Sequence, residues 1–191
     1  TLLPEEEYAM SAVIGLDASK IEEICCKIEE SGKFIVPANY NCSTQTVVSG
    51  ELQAVDVAIE KLKEIGARKV IKLKTSGPFH TKKLEKAKEA YKNELEKINF
   101  NKGNIKVIKN LDGNYYEEND NLVEVLSNHI VNPVRFDKAI ELMKKENVEE
   151  YVEIGPGKTL TGFVKKDNKE ANVYNINNLE TLEQYIKKSN S

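Results

Sequence analysis

The chain has 191 residues, 40% of them hydrophobic and 31% charged, which is enough apolar material for one or two soluble domains. A net charge of -3 gives no support for nucleic-acid binding, where affinity comes largely from neutralising phosphates. No apolar run approaches the roughly 18–20 residues that cross a bilayer, and the opening Thr1-Leu2-Leu3-Pro4-Glu5-Glu6-Glu7 has neither the basic start nor the apolar stretch of a signal peptide. With no initiator Met, the chain is expected to be part of a longer protein.

Residues 8–16 (YAMSAVIGL) read as a strand. Asp17 and Ser19 offer an N-cap, and Ser19 with Glu22 fits a capping box. Ile21, Ile24, Cys25 and Ile28 then recur at helical spacing until Gly32 closes the helix. Residues 34–40 (FIVPANY) form a second strand, expected at an edge or bulged near Pro37. A turn through Asn41-Cys42-Ser43 leads to a third strand at 44–49. A helix over 51–65 carries the stripe Val55, Ala58, Ile59, Leu62 and Ile65, stops at Gly66, and is followed by the alternating RKVIKLK strand at 68–74. The order β-α-β-β-α-β is the ferredoxin-like pattern.

After residue 75 the pattern changes. Ser76-Gly77-Pro78-Phe79-His80 is a Gly-Pro loop, and a long helix at 81–98 follows. Residues 105–109 read as a short strand, and 110–120 as a polar loop turning at Asp112-Gly113. Helices at 121–131 and 135–146 are separated by Pro133. A strand at 149–154 enters Gly155-Pro156-Gly157, and a helix at 158–166, a strand at 171–176 and a helix at 179–188 complete the chain. This alternation predicts an α/β fold with a parallel sheet covered by helices. Three short strands are few for so many helices, so a further portion of the sheet is expected outside this chain.

The three cysteines, Cys25, Cys26 and Cys42, form no C-x-x-C pair, which argues against a disulfide framework and for a reducing compartment such as the cytoplasm. With two histidines, His80 and His129, a zinc site would need an unusual ligand set, and no metal is expected. His80 is the candidate acid/base group. An imidazole, with an ordinary pKa of about 6.5, takes and returns a proton at neutral pH. Gly77 and Pro78 fix the backbone path before it, although an idle exposed loop histidine leaves the same trace in a sequence.

SGPFH at 76–80, with VPANYN at 36–41, TVVSG at 46–50, NPVRF at 132–136 and EIGPGKTLTG at 153–162, resembles the malonyl-CoA:acyl carrier protein transacylase family. The strings stand in the family's order and span nearly the whole chain. The resemblance implies a ferredoxin-like small subdomain, residues 1–75, joined to part of an α/β-hydrolase-like large subdomain, residues 76–191. It implies a ping-pong transfer of malonyl from coenzyme A to the phosphopantetheine thiol of acyl carrier protein through an acyl-serine, in fatty acid biosynthesis, with no bound cofactor. His80 matches the histidine that serves as base and then as acid.

Other residues acquire expectations from the same likeness. Phe79, beside the histidine, matches a position that in polyketide-synthase relatives accompanies malonyl over branched units; discrimination against one methylene is worth about 1–3 kcal/mol. Simple packing is the alternative. Asn39 and Asn41, two apart on a strand and so expected on one face, match asparagines that border the cleft between the two subdomains and are candidates for substrate binding, though Asn is also common at strand ends. His129 stands where many relatives have glutamine, whose backbone carbonyl orients the catalytic histidine; a carbonyl can do this whatever its side chain. Lys82 and Lys83, with Lys72 and Lys74 nearby, are candidates for docking the acidic carrier protein, or ordinary surface lysines.

Two motifs fail. The family's nucleophile lies in a G-x-S-x-G turn, and none of the serines at 11, 19, 31, 43, 49, 76, 127, 189 and 191 has glycine on both sides at that spacing. The chain by itself is therefore expected to be inactive. Gly157-Lys158-Thr159 looks like the end of a Walker A loop, but Val152 occupies the position that needs the first glycine. Two readings remain beside fatty-acid service: a polyketide-pathway acyltransferase, and a non-catalytic ferredoxin-like module that binds a ligand or partner.

Overall fold

The first strand sets the architecture. β1 (Tyr8–Ile14) is buried at every position but its two ends, so both of its faces are covered. A computed structural model describes residues 7–75, 77–101 and 103–189 of the chain. After β1 come α1 (Ala18–Glu29), β2 (Ile35–Cys42), β3 (Gln45–Glu51), α2 (Leu52–Glu64) and β4 (Lys69–Lys72), the order expected from the sequence. The strands lie side by side as β4-β1-β3-β2, all antiparallel neighbours.

One face of this sheet packs on α1 and α2. Val13, Ile35 and Val48 from the strands meet Ile21, Cys25 and Ile28 of α1 and Val55, Ala58 and Leu62 of α2. Each fully buried aliphatic side chain contributes about 1.5–3 kcal/mol, so the helical stripes hold this layer together. The opposite face carries a smaller cluster of Met10, Ala12, Ala38 and Val47 with Leu73 against it. Gly50 is needed where β3 runs beside the start of β2, because a Cβ there would stand 2.3 Å from the Phe34 carbonyl oxygen.

Local details depart from the sequence reading. The N-cap of α1 is Asp17, without a side-chain cap bond, and Ser19 already lies inside the helix. The Ser19–Glu22 capping box is absent, and the Glu22 carboxylate instead accepts from the Tyr40 hydroxyl at 2.7 Å. The turn expected at Asn41-Cys42-Ser43 falls later, because register shifts at Pro37/Asn39 and Tyr40/Cys42 lengthen β2 to Cys42.

A fifth strand that the sequence did not announce joins the sheet. β5, only Val134–Arg135, pairs in parallel with Asn39 and Tyr40 of β2 and extends the order to β4-β1-β3-β2-β5. Before it, a 3-10 turn (Lys82–Leu84) leads into α3 (Glu85–Leu95), and α4 (Leu122–Asn128) follows; Lys92 of α3 pairs with Glu124 of α4. The strand expected at 105–109 is reduced to one bridge, Ile108 to Tyr115, and Ile105 is 80% exposed. β-branched residues alone do not make a strand without a neighbour to pair with. The Asp112-Gly113 turn does form: Asp112 accepts from the Asn114 amide, and Gly113 lies so close to Lys138 that a Cβ would stand 2.3 Å from that side chain.

By its internal contacts the chain divides into two units, Thr1–Ala139 and Ile140–Ser191, the boundary falling within α5 (Phe136–Lys145). In the second unit β6 (Glu150–Ile154) and β7 (Asn172–Ile176) pair in parallel, as the alternation predicted. α6 (Thr159–Asp167) connects them and α7 (Leu179–Ser189) follows. Tyr174 meets Tyr185 edge-on at 5.2 Å, and the Tyr185 hydroxyl donates to Glu150. Among the described residues no helix is long and apolar enough to cross a membrane.

Candidate active site

The loop after β4 is anchored on both sides of His80. Pro78 and Thr81 are fully buried, and the Thr81 hydroxyl donates to the Pro78 carbonyl at 2.7 Å while accepting from the Lys83 amide. Between these anchors His80 takes a φ of +60°, in the left-handed region. Phe79 is 42% exposed, so its ring is only partly packed. Ser76 lies outside the described residues.

His80 Nδ1 lies 2.9 Å from the His129 carbonyl oxygen. A carbonyl can only accept, so Nδ1 carries the hydrogen, and in the neutral ring Nε2 is left with a lone pair. Nε2 has no hydrogen-bond partner among the described residues. The accepting oxygen is free for structural reasons. His129 is the C-cap of α4, where helix carbonyls lose their intrahelical partners. The amides of Ile130, Val131 and Asn132 turn back to the carbonyls of Ser127 and Asn128, leaving the carbonyl of His129 to His80.

The His129 side chain behaves differently. Its Nε2 is buried without a partner, and burial first, then the neighbouring His80, hold the imidazole below the ordinary histidine pKa. It is a neutral ring beside the site. Asn39 and Asn41 are half-buried on β2, and neither makes a hydrogen bond to either histidine. Burial alternates along this part of β2, with Ala38, Tyr40 and Cys42 buried and Asn39 and Asn41 half-buried between them, and the register with β3 shifts between Tyr40 and Cys42. Lys82 and Lys83 form the turn directly after the loop; Lys83 lies over the Phe34 ring at 4.8 Å, and Lys72 is paired with Asp56 at 2.8 Å.

The sequence reading missed a second constellation. The Arg135 guanidinium lies over the Tyr40 ring at 4.3 Å and donates to Asp137 through Nε at 3.0 Å and a terminal nitrogen at 2.8 Å. Burial, together with the Glu22 carboxylate that accepts its proton, pushes the Tyr40 phenol well above its usual range. Tyr40 and Arg135 line a cavity of about 510 Å³ with Leu111, Asn128, Asn132 and Pro133. Tyr40 and Arg135 pair across β2 and β5, a register step away from Asn39 and Val134, so the cavity lies on the α1 side of the sheet. Tyr40 falls in the VPANYN string and Asn132, Pro133 and Arg135 in NPVRF, but nothing in either string says that the two lie side by side.

Gly155-Pro156-Gly157 has a self-contained role. Glu153 accepts from the amides of Leu160 and Thr161 and from the Thr161 hydroxyl, capping α6. Burial pushes the Glu153 carboxyl up, but these donors outweigh it and hold it below the ordinary carboxylate value. The donors a phosphate would use are already taken.

The acyl transferase domain profile matches residues 8–190. The chain belongs to the acyl transferase family. The chain is 36% identical over 184 residues to the malonyl CoA-acyl carrier protein transacylase of Bacillus subtilis (strain 168), covering 96% of itself and 58% of that protein. The crystal structure of a malonyl CoA-acyl carrier protein transacylase from Clostridium perfringens ATCC 13124 superposes with a TM-score of 0.93 at 41% identity, over 98% of this chain and 59% of the other. A malonyl-transacylase solved with its type II PKS acyl-carrier protein superposes with a TM-score of 0.91 at 29% identity, over 97% of this chain and 60% of the other. The chain thus spans somewhat over half the length of the relatives it matches.

Proposed function

We propose that this chain supplies the general base of an enzyme that transfers malonyl from coenzyme A to the phosphopantetheine thiol of acyl carrier protein, in fatty acid biosynthesis. The nucleophilic serine comes from polypeptide outside these residues. The observation that carries the reading is the 2.9 Å bond from His80 Nδ1 to the His129 carbonyl, which leaves Nε2 basic and unoccupied.

In the first half-reaction Nε2 takes the serine proton as the oxygen attacks the thioester carbonyl. The C–S bond then breaks, and the departing coenzyme A thiolate takes that proton back. In the second half-reaction Nε2 removes the proton of the carrier's thiol, the sulfur attacks the acyl-serine, and the serine oxygen leaves with the proton. The His129 carbonyl keeps the ring oriented and favours the imidazolium formed at each stage. Such a positioned base contributes about 10²–10⁴-fold.

Phe79 lines the acyl site and disfavours an α-methyl group, and Asn39 and Asn41 border the same cleft. Residues 1–75 act as the ferredoxin-like small subdomain, and 76–191 belong to the α/β-hydrolase-like large one. Lys82 and Lys83 draw in the carrier protein; the solved complex of a related malonyl-transacylase with its acyl-carrier protein supports such a partner. The reaction needs no bound cofactor, and the setting is the cytoplasm.

The test is to express the whole reading frame and incubate the protein with radiolabelled malonyl-CoA. A G-x-S-x-G run upstream and label on its serine are expected, with transfer to a fatty-acid carrier. Faster transfer to a polyketide carrier moves the enzyme to that pathway. No such serine and no label would leave the βαββαβ sheet as a binding module.

A further inference from the structure

His80 is held by a carbonyl, and the position of that carbonyl must itself be fixed. His129 ends α4, and only the short run to Val134 separates it from β5. β5 pairs with β2 at two residues alone, Asn39↔Val134 and Tyr40↔Arg135. So short an edge strand adds little by itself. What reinforces it is Arg135: its guanidinium lies over the Tyr40 ring at 4.3 Å, it donates to both oxygens of Asp137, and its own amide donates to the Asn110 carbonyl at 2.7 Å. Tyr40 is tied in turn to Glu22 on α1.

We infer that Arg135, clamped between Tyr40 and Asp137, is a positioning residue for His80: it locks β5 to β2 and thereby fixes the His129 carbonyl that sets the tautomer of the base. The planar guanidinium suits this use, since it stacks and chelates at once, which lysine does not. The part concerning turnover rests on the malonyl-transfer reading; the part concerning the ring does not. Near-attack geometry is steep, and a displacement of about 1 Å costs on the order of 10²-fold in rate.

The experiment uses the protein from its whole reading frame, labelled with ¹⁵N-histidine. The chain has two histidines, so His129→Gln assigns the His80 signals. The wild type is expected to show His80 protonated at Nδ1 alone. Arg135→Met and Tyr40→Leu are both expected to give a mixture of tautomers, and Tyr40→Phe, which keeps a ring beneath Arg135, to retain the single form. Spectra are taken below each variant's melting midpoint. In turnover, Arg135→Met is expected to lower kcat by about 10–100-fold with KM for malonyl-CoA unchanged. A folded Arg135→Met variant that keeps the single Nδ1–H tautomer overturns the inference, because a residue serving stability alone would lower the midpoint and leave the ring untouched. If the wild type transfers no malonyl, the functional reading fails while the spectra still decide the clamp.

Discussion

Two Gly-Pro turns in this chain carry a strand into a helical segment, and they end in opposite states. At Gly155-Pro156-Gly157 the carboxylate of Glu153 takes up the donors at the start of α6, so the turn is closed on itself. At Gly77-Pro78 the buried Thr81 satisfies the backbone, and the His80 ring is held by one nitrogen with the other left open. The first turn spends its polar groups on architecture. The second positions a group without consuming it, which is what proton transfer requires. The difference lies in where the capping group comes from: the preceding strand in one case, a residue beyond the functional side chain in the other.

The largest expected effect tests the open turn. His80→Ala in the complete protein should lower transfer by about 10²–10⁴-fold while the melting midpoint hardly moves; a variant that keeps its rate would show that the open nitrogen is idle. Next comes the closed turn. Glu153→Ala strips α6 of its cap and should cost about 1 kcal/mol in urea denaturation. Because the folded carboxyl sits below its ordinary value, this stabilisation is full above that value and fades as pH falls through the lowered one. Wild type and variant should therefore converge in acid; a gap that persists there argues against the carboxylate as the cap.

A smaller effect concerns the neutral ring behind His80. His129 is held below the ordinary histidine value, so the unfolded chain takes the proton first, and stability declines as pH falls from that ordinary value toward the folded one. His129→Gln should flatten this decline yet keep transfer, since the carbonyl remains; lost activity would assign the side chain a role of its own. Least of all, Lys82→Glu should raise KM for the carrier protein by a few-fold and leave KM for malonyl-CoA alone. Equal changes in both would remove Lys82 from the docking surface.

The βαββαβ order was legible because each of its elements carries local signals: the Ile21–Ile28 stripe, Gly32 and Gly66 as stops, and alternation in RKVIKLK. His80 and its loop were legible from Gly77-Pro78 and the family-like strings. What escaped depends on distant partners. β5 is two residues long and exists because β2 lies beside it. Residues 105–109 (IKVIK) are rich in β-branched residues but, among the described residues, make only the single bridge from Ile108 to Tyr115. Tyr40 and Arg135 stand in separate strings of the sequence, and only the sheet brings them together with Asp137, while Glu153 caps a helix from a strand, outside any capping box.

The backbone of His80, at φ +60°, has one more consequence. Glycine occupies that left-handed region freely, whereas most other residues are held there at roughly 1–2 kcal/mol, and histidine, like asparagine, tolerates it better than most. Glycine at position 80 would give a calmer loop and a chemically mute one. A lineage selected for endurance to heat alone would drift toward glycine here, so robustness and reactivity pull against each other at this single residue.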